Sequence, residues 1–362
     1  MIPSILSIFL DYHCNFECKH CSVGSSPRTK YPMPEEVMTK AIDGAHELAS
    51  IAVVVFTGGE PTLRMPVLVR GIERVRDAGY LSRVVTNAWW ATTPEKARAT
   101  VAKLQAAGLQ ELNTSYDDFH APFISVDRIV NMVRAALEAN LRVAVGVIAD
   151  PRSVFNADRV RAELCTGLSM TMAELEAAVY ILEDFPTPTG TGASLDVSAL
   201  NAGAKMEMGC PEVIKTLSVH PDGTVKACCG HTQFYSKDLT LGSLHEESLT
   251  QMVERGRQNL VYWLVHMMGP KRILAQLGVS GTYSSICHAC HVLFAQHRDQ
   301  LIRHVEANLN ELFANEVLLS DNVRRTAEVV IQNKEAILRS FKRLHESESR
   351  DSRDKHRLPV LA

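Results

Sequence analysis

Between residues 5 and 150 the chain alternates short β-rich runs with longer stretches of helical apolar spacing, and this alternation constrains its fold more than any other feature. The runs are Ile5 to Leu10, Ala52 to Phe56, Arg83 to Thr86, Leu109 to Ser115 and Leu141 to Ala149; helix candidates occupy 34–49, 66–78, 94–107 and 126–139. Helix starts are marked by Pro34 with Glu35 and Glu36, by Thr93 before Pro94 and Glu95, and by Ser125 with Asp127. Strands that alternate with helices at this spacing lie parallel and are joined by right-handed crossovers, so the chain is expected to form an α/β barrel or an open sheet. Such sheets carry their working residues at the C-terminal ends of the strands.

The chemically unusual segments obey that rule. Cys14 follows the first run, Thr57-Gly58-Gly59-Glu60-Pro61 the second, Thr86-Asn87 the third, and Ser115-Tyr116-Asp117-Asp118-Phe119-His120 the fourth. One face of the sheet therefore collects a cysteine group, a Gly-Gly-acid turn, an amide and two carboxylates. The last segment reads as a plain polar turn or, on that face, as a place where Asp117 and His120 bind substrate or move a proton.

Nine cysteines stand in the 362 residues. Three are Cys14, Cys18 and Cys21; Cys165 is alone; Cys210, Cys228 and Cys229 form a second group, and Cys287 and Cys290 a third. The apolar N-terminal stretch lacks a basic leader and runs into Asp11, so it does not read as a signal peptide and a cytoplasmic chain is expected. In that compartment clustered cysteines are metal ligands more often than disulfides. A net charge of −3 gives no reason to expect nucleic acid or an anionic membrane. The apolar run from Asn259 to Met268 falls far short of the ~20 residues of a spanning helix.

Three thiolates in Cys14-Asn15-Phe16-Glu17-Cys18-Lys19-His20-Cys21 would leave one iron of a [4Fe-4S] cluster open to an outside ligand. The spacing resembles the C-x3-C-x2-C signature of the radical S-adenosylmethionine (SAM) enzymes, and Gly58-Gly59-Glu60-Pro61 stands where that family has its GGE motif. The resemblance implies a cluster on Cys14, Cys18 and Cys21 with SAM at the open iron, reductive cleavage of SAM, and hydrogen abstraction by a 5′-deoxyadenosyl radical. It implies that Gly58 and Gly59 let the backbone approach the methionine moiety and that Glu60 accepts from its ammonium group. Asn87, Ser115 and Asp117 would then lie near the ribose and carboxylate. His20 stands at the adenine contact, where the family more often has an aromatic residue. The competing reading is a structural zinc knuckle that borrows His13 or His20.

Further on, Phe185 to Gly192 is dense in breakers and reads as a linker or a substrate-facing loop. Lys215 to His220 and Thr224 to Ala227 flank the turn Pro221-Asp222-Gly223 as a hairpin. Cys210 precedes the first of these strands, Cys228 ends the second, and Cys287-His288-Ala289-Cys290 can complete a four-sulfur site. This pattern resembles the auxiliary-cluster region called the SPASM or twitch domain. With no cysteine after Cys290, the resemblance implies the shorter type, with one auxiliary [4Fe-4S] cluster that transfers electrons. Zinc on the same four cysteines, and haem on Cys287-His288-Ala289-Cys290-His291, are the alternatives. Cys165 reads as a small buried hydrophobe. Cys229 follows a cluster ligand at a strand end and so faces the other way: either it packs in the core, or it presents a thiol that returns hydrogen to a substrate radical, as in radical SAM peptide epimerases.

Past residue 292 the texture becomes amphipathic, with stripes Ile302, Val305, Leu309, Leu312 and Val323, Val330, Ile337, Phe341, Leu344, and a mixed-charge tail from 346. The expected fold is α/β: a partial (β/α)6 TIM-like barrel over 1–185, or to 200 if its last strand lies later. A small α+β auxiliary-cluster domain over 205–295, a helical segment over 296–345 and a tail over 346–362 follow it. The expected activity is radical modification of a ribosomally made peptide, with oxidation of a small molecule such as an amino sugar as the alternative enzyme and a zinc-stabilised binding protein as the non-enzyme. The resemblance implies a reductant such as flavodoxin or ferredoxin, and neither nucleic acid nor membrane as partner.

Overall fold

The computed structural model describes residues 1–206 and 209–312. The chain divides into Met1–Leu309 and Asn310–Ala362, and nearly all described residues lie in the first unit. Six parallel strands, β1 (Ile5–Phe9), β2 (Val53–Thr57), β3 (Leu81–Val85), β4 (Glu111–Ser115), β5 (Arg142–Ile148) and β6 (Val179–Asp184), alternate with α1 (Glu35–His46), α2 (Met65–Asp77), α3 (Pro94–Ala107), α4 (Val126–Glu138), α5 (Ala157–Leu168) and α6 (Met172–Ala178). This is the partial barrel expected from the alternation. Its helices are bounded by local signals: Thr93 caps α3 by accepting from Lys96 N–H, and Gly108 ends it at φ 112°, a conformation that glycine adopts without strain. On α4, Ile129, Val130, Met132 and Val133 are buried, each contributing about 1.5–3 kcal/mol of apolar transfer.

The sheet continues beyond the barrel. β7 (Thr216–Val219) pairs parallel with β1, and β8 (Thr224–Lys226) and β9 (Thr240–Ser243) follow it antiparallel, giving the order β6-β5-β4-β3-β2-β1-β7-β8-β9. The hairpin thus prolongs the barrel wall. After it come α7 (Leu249–Arg257), α8 (Leu260–Met267), α9 (Pro270–Gln276), α10 (Ile286–Gln296) and α11 (Arg298–Ala307). Cys287 and Cys290 lie on the first turns of α10. Ile302 and Val305 fall on α11, whereas the stripe from Val323 to Leu344 and the tail lie outside the described residues. Among the described residues no helix is long and apolar enough to cross a membrane.

Strand register decides what faces the barrel interior. Val143, Val145 and Val147 of β5 are buried, and the Glu183 carboxylate of β6 accepts from Ala157 N–H at the start of α5, so these alternate positions face the helices. The other face holds Ser115, Gly146 and Leu182 side by side; a Cβ on Gly146 would lie 3.2 Å from Ser115 Oγ. The same face carries Ser218, Ser7, Val55, Arg83, Glu111 and Arg142 in one row across six strands. Arg83 and Glu111 form an ion pair there at 2.7 Å.

Candidate active site

The loop after β1 is folded by Asp11, whose carboxylate accepts from His13 N–H and Tyr31 N–H, both at 2.9 Å. It gathers Cys14, Cys18 and Cys21. Burial pushes the Cys14 thiol up to about 12, and it pushes Cys18 up as well; mutual repulsion among the three sulfurs adds to both. Neutral thiols of this kind become thiolates when a metal takes the proton's place. Phe16 N–H donates to Cys14 Sγ at 3.4 Å, and Asn87 Nδ2 approaches the same sulfur at 3.6 Å while donating to Asn15 Oδ1 at 2.9 Å.

The Gly-Gly-acid turn sits directly under this loop. Gly59 N–H donates to Asp11 O and Glu60 N–H to His13 O, each at 2.8 Å. A Cβ on Gly58 would stand 2.2 Å from Asp11 O, and one on Gly59 2.1 Å from His13 O. Both glycines are therefore required by the approach of two backbone segments, apart from any cofactor. The Glu60 carboxylate, 1% exposed, accepts from Thr62 N–H, Thr62 Oγ1, Thr86 Oγ1 and Asn87 N–H. Burial raises its pKa against the pull of those donors.

After β4, Asp117 is fully buried. Its Oδ1 accepts from Phe119 N–H at 2.9 Å, from His120 N–H at 3.1 Å and pairs with His120 Nδ1 at 2.8 Å; its Oδ2 accepts from Ile148 N–H at 3.0 Å. Burial works against ionisation of Asp117, but His120 and these donors outweigh it and hold the carboxyl below its ordinary value. His20 lies 4.7 Å from the Phe119 ring and 5.0 Å from the His120 ring. Burial, then His120, lowers its imidazole pKa to about 4. The ligand-capable atoms of His20, Asp117 and His120 all lie within 4.8 Å of one another. Asp118 turns elsewhere and caps the backbone of Val154 and Phe155.

The second cysteine set also converges. Cys228 feels Cys290 and Cys287, and Cys290 feels Cys287 and Cys210, each pushed upward first by burial and then by those neighbours. Gly230 leaves the space between them open: a Cβ there would lie 2.9 Å from Cys287 Sγ and 3.8 Å from Cys228 Sγ. Two thiols beside a space that one methyl group would invade, with Cys290 and Cys210 acting electrostatically on them, fit a thiolate-bound iron–sulfur cluster, and the three thiols near β1 fit one with an open iron. Burial pushes the Cys229 thiol up to about 11, against a pull from Ser7 on the inward face of β1, and Cys229 acts electrostatically with Cys210 and Cys287. Cys165, on α5, is half-buried.

Sequence reasoning missed the residues that connect the two sets. Thr191 Oγ1 donates to Cys18 O at 2.9 Å and Thr191 N–H to Cys21 O at 3.0 Å, while the Tyr235 hydroxyl reaches Ser22 O. The His231 backbone N–H draws the Cys287 thiol down against its burial, and His231 acts electrostatically on His20. Its place two residues after Cys229 was the one available signal.

Comparison with known proteins accords with this geometry. Residues 10–151 match the Radical SAM superfamily and residues 210–291 match SPASM, an iron–sulfur cluster-binding domain. YydG of Bacillus subtilis strain 168, whose name assigns it to peptide biosynthesis, is 23% identical over 333 residues, covering 86% of this chain and 99% of its own. Among solved structures, SuiB of Streptococcus suis bound to SAM is 13% identical with a TM-score of 0.43, over 69% of this chain and 65% of SuiB. BtrN in complex with AdoMet and 2-DOIA is 12% identical with a TM-score of 0.43, over 74% of this chain and 88% of BtrN.

Proposed function

This chain belongs to the radical SAM superfamily and carries a SPASM-type iron–sulfur cluster-binding domain, and we propose that its substrate is a ribosomally made peptide in which it replaces one hydrogen by another. The peptide is supported by the likeness to YydG along nearly the whole of both chains. The observation that carries the reaction is Cys229, a thiol next to a candidate cluster ligand and close to an inward-facing strand residue, Ser7.

When bound, a [4Fe-4S] cluster and SAM supply one electron and a 5′-deoxyadenosyl radical that takes a hydrogen atom from the substrate. Cys14, Cys18 and Cys21 would hold that cluster, with Asn87 steadying the Cys14 sulfur and the Gly58-Gly59-Glu60 turn holding the loop from beneath. Ser115, His20, Asp117 and His120 would lie on the side where SAM binds. Cys210, Cys228, Cys287 and Cys290 would saturate a single auxiliary cluster. Cys229 gives the hydrogen on its sulfur to the substrate carbon radical, forming a C–H bond and leaving a thiyl radical. One electron from a flavodoxin- or ferredoxin-type reductant and one solvent proton restore the thiol.

The test is anaerobic turnover with SAM, dithionite and each short peptide encoded beside the gene, in deuterated water. A product one mass unit heavier, lost in Cys229→Ala while 5′-deoxyadenosine still forms, is expected. A product two hydrogens lighter would assign an oxidation instead, and 5′-deoxyadenosine formed with no peptide altered would refute the peptide reading.

A further inference from the structure

β6 is the first strand of the sheet, and among the described residues no strand pairs with its outer edge. Edge strands present a row of N–H and C=O groups to any extended chain, and proteins usually blunt them with lysine, proline, a bulge or a covering element. The sequence of β6, Val-Tyr-Ile-Leu-Glu-Asp, has no lysine or proline and continues the β5 register from Val179 to Asp184 without a bulge.

Its side chains are also placed in an unusual way. Glu183 faces α5, so Tyr180, Leu182 and Asp184 fall on the opposite face, beside Ala144, Gly146 and Ile148. On this inward face Tyr180 is 63% exposed and Leu182 50% exposed. Two large apolar groups thus stand open to solvent inside an incomplete barrel, next to two small residues that leave room above β5.

The strand leads to the reactive centre. Just past its last residue, Asp184, Pro186 O accepts from Ser284 Oγ and Thr187 Oγ1 bonds Ser285 Oγ, both at 2.7 Å, at the start of the helix that carries Cys287, and Ser115 stands in the same inward row as Gly146 and Leu182. A chain laid along β6 would therefore be delivered to the region between the two cysteine sets.

We infer that an extended segment of the peptide substrate adds to the free edge of β6, with alternate side chains packing on Tyr180 and Leu182. This rests on the peptide reading above and specifies how the peptide enters. Main-chain hydrogen bonds supply affinity in such strand addition, and pockets for every second side chain supply selectivity. Only an extended backbone satisfies the alternating donors and acceptors of the edge, so a compact metabolite is a poor occupant.

The experiment follows backbone amide exchange of holoenzyme with and without the flanking-gene peptide that is turned over to product, and measures KM for versions of that peptide N-methylated one residue at a time. Strand addition predicts at least tenfold slower exchange with peptide bound at the alternate N–H groups of 179–184 that point away from β5. It also predicts KM rises of about tenfold or more at alternate residues only, because every second N–H points away from the edge. A peptide that turns over without protecting β6, or that tolerates methylation at every position, overturns the inference while leaving the peptide reading intact. Slow exchange at the outward-pointing N–H groups of β6 before peptide is added overturns it too. If that slowness is independent of concentration the edge belongs to residues 313–362 of this chain, and if it grows with concentration it belongs to a second copy.

Discussion

Asn87 N–H donates to the Glu60 carboxylate at 2.7 Å, tying the end of β3 to the turn after β2. The same Asn87 directs its side-chain amide at Cys14 Sγ. One buried acid thus anchors two strand ends and, through Asn87, the first cysteine. Glu60→Ala removes the acceptor from Thr62 N–H, Thr62 Oγ1, Thr86 Oγ1 and Asn87 N–H. Each buried donor left unpaired costs about 1–3 kcal/mol, so anaerobic urea unfolding is expected to show a loss of about 3 kcal/mol or more. Glu60→Gln, which keeps an acceptor oxygen, is expected to lose less; an alanine variant as stable as wild type would show that the network does not hold the fold.

Gly59→Ala acts on the same loop by steric means. Its Cβ would meet His13 O at 2.1 Å and Tyr12 O at 2.8 Å, and backbone oxygens cannot turn aside as a side chain can. The loop must shift, and Cys14 with it. Iron content after anaerobic reconstitution is expected to fall by about half if two four-iron clusters are present, because the second set is untouched. Full iron loading with normal SAM cleavage would contradict this geometry.

Gly230→Ala is the complementary change. A methyl group 2.9 Å from Cys287 Sγ intrudes on the other set alone. Iron is again expected to drop by about half, but here 5′-deoxyadenosine formation without peptide is expected to survive. The two variants together separate the clusters by content and by activity; identical behaviour of both would argue against two independent sites.

Much of this arrangement is written locally in the chain. Both ends of α3 are marked, by Thr93 and Gly108, and the strands were found because helix and strand periods differ over short windows. The cysteine sets were legible because ligand spacing is a local property. The pairing of β7 with β1 was not, since Ser7 and Ser218 meet through register, which no nearby residue encodes. The same limit hid the contact of Gly58 and Gly59 with the Asp11 to His13 backbone, and the place of His231 between the cysteine sets. Family resemblance explained the glycines by the cofactor; packing gives them a second reason that only coordinates supply.

Asp117 yields a prediction in pH. Its folded pKa lies below the ordinary 3.8 because His120 and three backbone donors outweigh the cost of burial. A depressed carboxylate contributes stability that is fully present above its unfolded value and is lost as pH falls through the folded one. Asp117→Asn replaces one acceptor oxygen by a donor that faces donors, so a loss of about 1–3 kcal/mol is expected at pH 7. The gap between wild type and variant should narrow below about pH 4, where the carboxylate of the wild type takes up its proton. Urea unfolding across that range measures it. A gap that failed to narrow below about pH 4 would mean that the native state does not favour the ionised carboxyl, and the pairing of Asp117 with His120 would then have to be abandoned.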